Sequence, residues 1–184
     1  MNLLLVADAF PPMRTSAAVL LHDLACEMAA QGHDVTVMIP APDLDEPWTV
    51  SPEQFGRVLR IKTPSTKDIG YVQRTLAEFL LPFIMYFRFK RSSIFNSPVG
   101  GVVFYSPTIF FGPLIRRLKR HFSCKAYLIV RDMFPDWALD LGVIKKGLPY
   151  YLLKRVELDQ YRVADRIGVQ CPGNLLLLPE HKAI

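Results

Sequence analysis

The segment Arg131-Asp132-Met133-Phe134-Pro135-Asp136-Trp137 follows directly on the apolar run Ala126-Tyr127-Leu128-Ile129-Val130. A carboxylate beside a guanidinium at the mouth of a buried strand outlines a polar site: the arginine favours the ionised acid, which is left to face a cleft. The same residues also fit a plainer reading, with Asp132 capping a turn and Asp136 and Trp137 opening a short helix. A second group, Arg14-Thr15-Ser16, stands before a helical pattern. Free backbone amides, two hydroxyls and a guanidinium there suit an anion such as a phosphate, or else form a helix cap beside a surface arginine. His22, His33, His121 and His181 show no ligand spacing, so no metal site is expected. Neither a G-x-G-x-x-G fingerprint nor a Walker lysine occurs, which argues against a nicotinamide or P-loop nucleotide site.

The elements that must position these groups alternate. Asn2 to Ala7 is a continuous apolar run of the kind shown by a parallel strand covered on both faces. A helix follows, capped by Thr15 or Ser16, with Val19, Leu20, Leu24 and Met28 at helical spacing and Gly32 at its end. Val35 to Ile39 is the next strand, completing a strand-helix-strand unit. Residues 40–56 carry four prolines and read as a surface loop, and Val58 to Ile61 as a short strand. Tyr71 to Arg91 is helical in pattern, with Val72, Leu76, Phe79, Leu80, Phe83 and Phe87 as its core stripe and Pro82 expected to kink or divide it. Strands at Gly101–Tyr105, Ala126–Val130 and Arg166–Gln170 alternate with helices over 107–122 and 148–164. The expected fold is α/β, a Rossmann-like parallel sheet flanked by helices, in one domain covering residues 1–184.

The 184 residues are 51% hydrophobic with 15 Pro and 10 Gly, which excludes disorder and collagen-like repeats. Cys26, Cys124 and Cys171 have no C-x-x-C spacing, which suggests neither disulfides nor zinc and fits a reducing cytoplasm. The opening residues resemble neither a signal peptide nor a membrane span. A net charge of +5 calls for an anionic partner. Arg88, Lys90 and Arg91, with Arg116, Arg117, Lys119 and Arg120, stand beside aromatic and aliphatic residues, and no nucleic-acid motif is present. A membrane surface is therefore expected in place of nucleic acid, with these seven cations as its contacts.

Taken together, Ala9-Phe10-Pro11-Pro12, Arg14 to Ala18 and Gln31-Gly32-His33-Asp34-Val35 resemble the opening of family 4 glycosyltransferases. The block Leu128 to Gly142, continued by Glu157, Tyr161 to Asp165 and Gln170-Cys171-Pro172-Gly173-Asn174, is similar to the members that transfer amino sugars such as N-acetylfucosamine in bacterial O-antigen synthesis. The resemblance implies a GT-B architecture of two Rossmann-like domains, of which this chain supplies the acceptor-binding one. The donor-binding domain, with its E-x7-E motif, is expected beyond Ile184. It implies Asp132 as the catalytic residue, Arg14, Thr15, Ser16, Arg131, Gly173 and Asn174 as cleft residues, and no cofactor or metal. The implied partners are a nucleotide sugar and an undecaprenyl-diphosphate-linked acceptor at the cytoplasmic face of the inner membrane, with the protein cytoplasmic and peripheral. A freestanding, non-catalytic module that docks on a membrane or a partner is the alternative reading.

Overall fold

Apolar residues run without alternation through the first strand because it lies at the centre of a sheet covered on both faces. The structure, a computed structural model, describes residues 1–66 and 70–178; His181 and the Val72 side chain lie outside the described set. Strands β1 (Asn2–Val6), β2 (Asp34–Pro40), β3 (Trp48–Glu53), β4 (Gly56–Ile61), β5 (Gly101–Ser106), β6 (Lys125–Val130) and β7 (Arg166–Val169) form one sheet in the order β3-β4-β2-β1-β5-β6-β7. Every pairing is parallel except β3 on β4. Without that edge strand, the order is the Rossmann one, and its direction of growth reverses between β1 and β5.

Right-handed crossovers that grow the sheet in opposite directions place their helices on opposite faces. Helix α1 (Ser16–Ala30) accordingly packs Leu21 and Ala25 with Leu5, Val35, Val37 and Val58 on one face. Helices α2 (Tyr71–Phe89), α3 (Gly112–Phe122) and α5 (Leu148–Val163) cover the other, over Leu4, Val6, Phe104 and Leu128; the short helix α4 (Asp136–Asp140) precedes α5. Thr15 is the cap of α1, its hydroxyl accepting from Ala18 N at 3.2 Å. Gly32 takes the left-handed conformation (φ +84°) just past the helix end, where a side chain would be strained.

Five expectations from the sequence are corrected. Residues 40–56 are not all loop: β3 forms there, and Pro52 is tolerated because β3 is an edge strand. The stripe on α2 is inverted: Leu76, Leu80, Phe83 and Phe87 are exposed, whereas Ala77, Leu81, Met85 and Phe89 are buried against the sheet. That helix is apolar nearly all round, so spacing alone defines two candidate faces, and the one meeting the sheet is fixed by packing. Pro82 lies inside a continuous α2, whose lost hydrogen bond is offset by the burial on either side of it. On α1, likewise, Val19 and Leu20 are exposed, and Ala18, Leu21 and Ala25 face the core. The third helix begins only at Gly112, after an irregular stretch from Pro107.

Candidate functional site

Ligands in open parallel sheets bind beyond the carboxyl ends of the strands, at the point where the strand order reverses. In this molecule that point lies between β1 and β5, with β6 next to β5. Arg131, the first residue after β6, spans it. Its Nη2 donates to Ser16 Oγ in the first turn of α1 at 3.2 Å, and its Nη1 donates to the Tyr105 hydroxyl near the end of β5 at 3.3 Å. The Tyr105 bond raises the Arg131 pKa above its ordinary value, so the guanidinium is a fixed positive charge at the carboxyl edge of the sheet. Asp132 follows it, exposed to solvent.

The loops that carry these groups are tied down from below. Phe10 is buried against Phe55 and His22 beneath the β1 loop, and Arg60 Nη2 donates to Pro11 O at 3.3 Å. The loop after β5 is held by Gln160, wholly buried on α5, which donates to Thr108 O at 3.0 Å and accepts from Phe111 N at 3.2 Å. The β6 loop is anchored through Asp136, which accepts from the Tyr150 hydroxyl at 2.8 Å and from Lys154 Nζ at 2.6 Å. Lys154 also meets Glu157 at 2.6 Å, and Tyr161 donates to Glu157 at 2.7 Å, with Met133 Sδ 3.4 Å from the same hydroxyl. Burial pushes the Glu157 carboxyl and the Tyr161 phenol up. Burial acts against the charge on Lys154, but its bonds to Asp136 and Glu157 outweigh that and leave its pKa raised.

Of the residues singled out from the sequence, Ser16 and Arg131 are thus in direct contact, with Asp132 adjacent in the chain. Thr15 is occupied as the cap, and Arg14 is exposed beside it. Gly173 and Asn174 belong to a 3-10 turn (Pro172–Leu177) after β7, two strands along from the reversal point on the same edge of the sheet. Asp136 opens α4 and acts as an anchor. Tyr105 and Gln160 were not singled out. The α5 residues Glu157, Gln160 and Tyr161 recur at helical spacing, and two polar side chains on that buried stripe are the signal that marks Gln160.

The seven cations assigned to a membrane are only partly available. Arg88 donates to Lys62 O, Arg116 pairs with Asp159, and Lys119 pairs with Asp165 at 2.6 Å. Arg117 lies over the Phe83 ring at 4.9 Å from its centroid and donates to Pro113 O. Lys90, Arg91 and Arg120 are exposed. No described helix is long and apolar enough to cross a membrane.

No family model matches the sequence, and no curated protein does. Solved structures do match in shape. Sucrose-phosphate synthase from Thermosynechococcus elongatus aligns with TM-score 0.64 at 13% identity, over 100% of this chain and 86% of that one. An E. coli trehalose-6-phosphate synthase structure bound with UDP-2-fluoro glucose gives 0.62 at 11% identity, over 96% of this chain. Apo UGT2 from Phytolacca americana gives 0.54 at 12%, over 95% of this chain. The chain spans 41% and 47% of the lengths of the last two. All three are GT-B glycosyltransferases, and the α/β fold of this chain, a mostly parallel sheet of seven strands flanked by helices, is that of a GT-B glycosyltransferase domain.

Proposed function

We propose that the chain is the acceptor-side domain of a retaining glycosyltransferase of the family 4 type. It would move a sugar from a nucleotide-sugar donor to an undecaprenyl-diphosphate-linked acceptor at the cytoplasmic face of the inner membrane, in O-antigen or related surface polysaccharide synthesis. The observation that carries this reading is the Arg131 bridge between Ser16 and Tyr105 at the reversal point, with Asp132 beside it, in a fold shared with enzymes of this architecture. The nucleotide sugar is further supported by the UDP-2-fluoro glucose bound to one structural neighbour.

In this reaction the acceptor hydroxyl attacks the anomeric carbon, the bond from that carbon to the diphosphate oxygen breaks, and the hydroxyl proton passes to the leaving phosphate. Asp132 accepts hydrogen bonds from hydroxyls of the reacting sugar and fixes its position, and Arg131 supplies the positive charge that faces the departing diphosphate. Ser16 and Tyr105 hold the guanidinium in place. The nucleotide is bound mainly by a second domain. The test is to incubate the full-length protein with nucleotide sugars and lipid-linked acceptor and to follow the acceptor by mass spectrometry. Gain of one sugar mass supports the reading, and no gain with any common donor counts against it.

The apolar stripe exposed on α2 favours a second reading, a docking module without catalysis. That reading predicts association with a partner through α2 and no transfer in the same assay.

A further inference from the structure

Leu141, Val143, Leu148, Tyr151 and Leu152 each leave between 50% and 83% of their surface exposed, and all five fall within the segment 141–152. Five large apolar side chains open to water in so short a stretch form a patch that a monomer surface rarely carries without a partner. The buried residues of α5 are confined to its C-terminal half, at Glu157, Gln160, Tyr161 and Val163, and its first turns carry Leu148, Tyr151 and Leu152 outward. Basic residues outnumber acids around the patch, where Asp140 is the exposed acid at its N-terminal border. Residues 141–155 contain four cations, Lys145, Lys146, Lys154 and Arg155, and no acid. Lys154 turns inward to Asp136 and Glu157, and Lys145, Lys146 and Arg155 are exposed.

We propose that the segment 141–155, joining α4 to α5, is a docking surface for an anionic lipid bilayer. Leucine and valine side chains enter the acyl boundary, Tyr151 sits at the headgroup level, and the lysines and Arg155 meet lipid phosphates. Charge complementarity decides the occupant, since the exposed cations Lys145, Lys146 and Arg155 outnumber the one bordering acid, Asp140, and a net basic, apolar surface matches an anionic leaflet. The segment is also continuous in the chain with the Arg131–Asp132 loop through α4, so docking brings that edge of the sheet to the membrane. The docking stands on the exposure and charge of these residues; its service to a lipid-linked acceptor rests on the transferase reading above.

The test is co-sedimentation of the full chain with vesicles of phosphatidylcholine alone or mixed with phosphatidylglycerol. The natural chain binds the mixed vesicles selectively. The variant Lys145→Gln/Lys146→Gln binds them about thirtyfold more weakly, as the loss of two basic residues at an anionic surface implies. Leu148→Ser/Leu152→Ser also weakens binding, by about tenfold or more. A pair on the exposed face of α2, Leu80→Ser/Phe87→Ser, leaves it unchanged within about twofold. Indifference of the natural chain to both vesicle types overturns the proposal, as does weakening by the α2 pair alone. Concentration-dependent self-association abolished by Leu148→Ser/Leu152→Ser, without vesicle binding, also overturns it. Transfer to a short-chain acceptor dispersed in detergent separates the two readings. Transfer retained where vesicle binding is lost supports a surface distinct from the chemistry, and no transfer where vesicle binding is normal counts against the transferase alone.

Discussion

Arg131 and Ser16, 115 positions apart in the chain, meet at 3.2 Å across the carboxyl edge of the sheet. This contact, with the bond from Arg131 to Tyr105, joins the start of α1, the end of β5 and the loop after β6 into one unit. Arg131→Lys keeps the charge but loses the two-pronged geometry, because an ammonium cannot present two fixed N–H groups in one plane. Transfer is expected to fall by about a hundredfold, as misplacement of a reacting centre by about 1 Å brings. Measured kcat for Arg131→Lys and Tyr105→Phe would show the larger loss in the former, and equal activity of Arg131→Lys and the natural protein would contradict this role.

Gln160 is a positioning residue for the loop after β5. Gln160→Leu keeps the volume but leaves the Phe111 amide and the Thr108 carbonyl without their partner, at a cost of about 2–4 kcal/mol. Urea unfolding followed by circular dichroism measures this directly. A loss below about 0.5 kcal/mol, the range of ordinary surface substitutions, would show that the loop is held by other means.

The inverted face of α2 gives a paired prediction. Met85→Ala removes a fully buried side chain and is expected to destabilise by about 2–5 kcal/mol. Phe87→Ser, on the opposite face and 58% exposed, is expected to change stability by under about 0.5 kcal/mol. The reverse ranking in thermal melts would restore the stripe that spacing alone suggests.

Alkaline solution should weaken the α5 network. Tyr161 and Lys154 have folded-state pKa values raised above their ordinary 10.0 and 10.5. Above those ordinary values the folded state holds protons that the unfolded chain releases, so stability is full below them and declines as pH rises past about 10. Glu157 has the same sign in a lower window: its raised value means that stability is lost as pH climbs from its ordinary 4.5 through the folded-state value. Tyr161→Phe should flatten the alkaline limb of a stability–pH curve, and an unchanged limb would remove Tyr161 from the account.

The alternation of strands and helices was legible because buried parallel strands such as Leu3 to Ala7 read as unbroken apolar runs, and Gly32 and Thr15 mark helix ends by their own chemistry. What was not legible followed from tertiary choice. Two faces of α2 are equally apolar, and only the sheet selects between them. Prolines at 47 and 52 obscured β3, whose edge position makes Pro52 harmless. At the site, the spacing of residues brought Arg131, Asp132 and Ser16 to notice separately, but nothing in a one-dimensional chain states that Arg131 reaches Ser16, or that Tyr105 and Gln160 stand behind them.

The central claim is that the edge of the sheet around Arg131 and Asp132 is a sugar-transfer site, and the most direct measurement is the steady-state kinetics of Asp132→Asn in the full-length protein. The side chain is exposed and makes no described fold-supporting bond, so the variant should melt like the natural protein. The account predicts kcat reduced by about a hundredfold or more, with KM for the nucleotide sugar little changed. A kcat within about twofold of the natural protein's would contradict it.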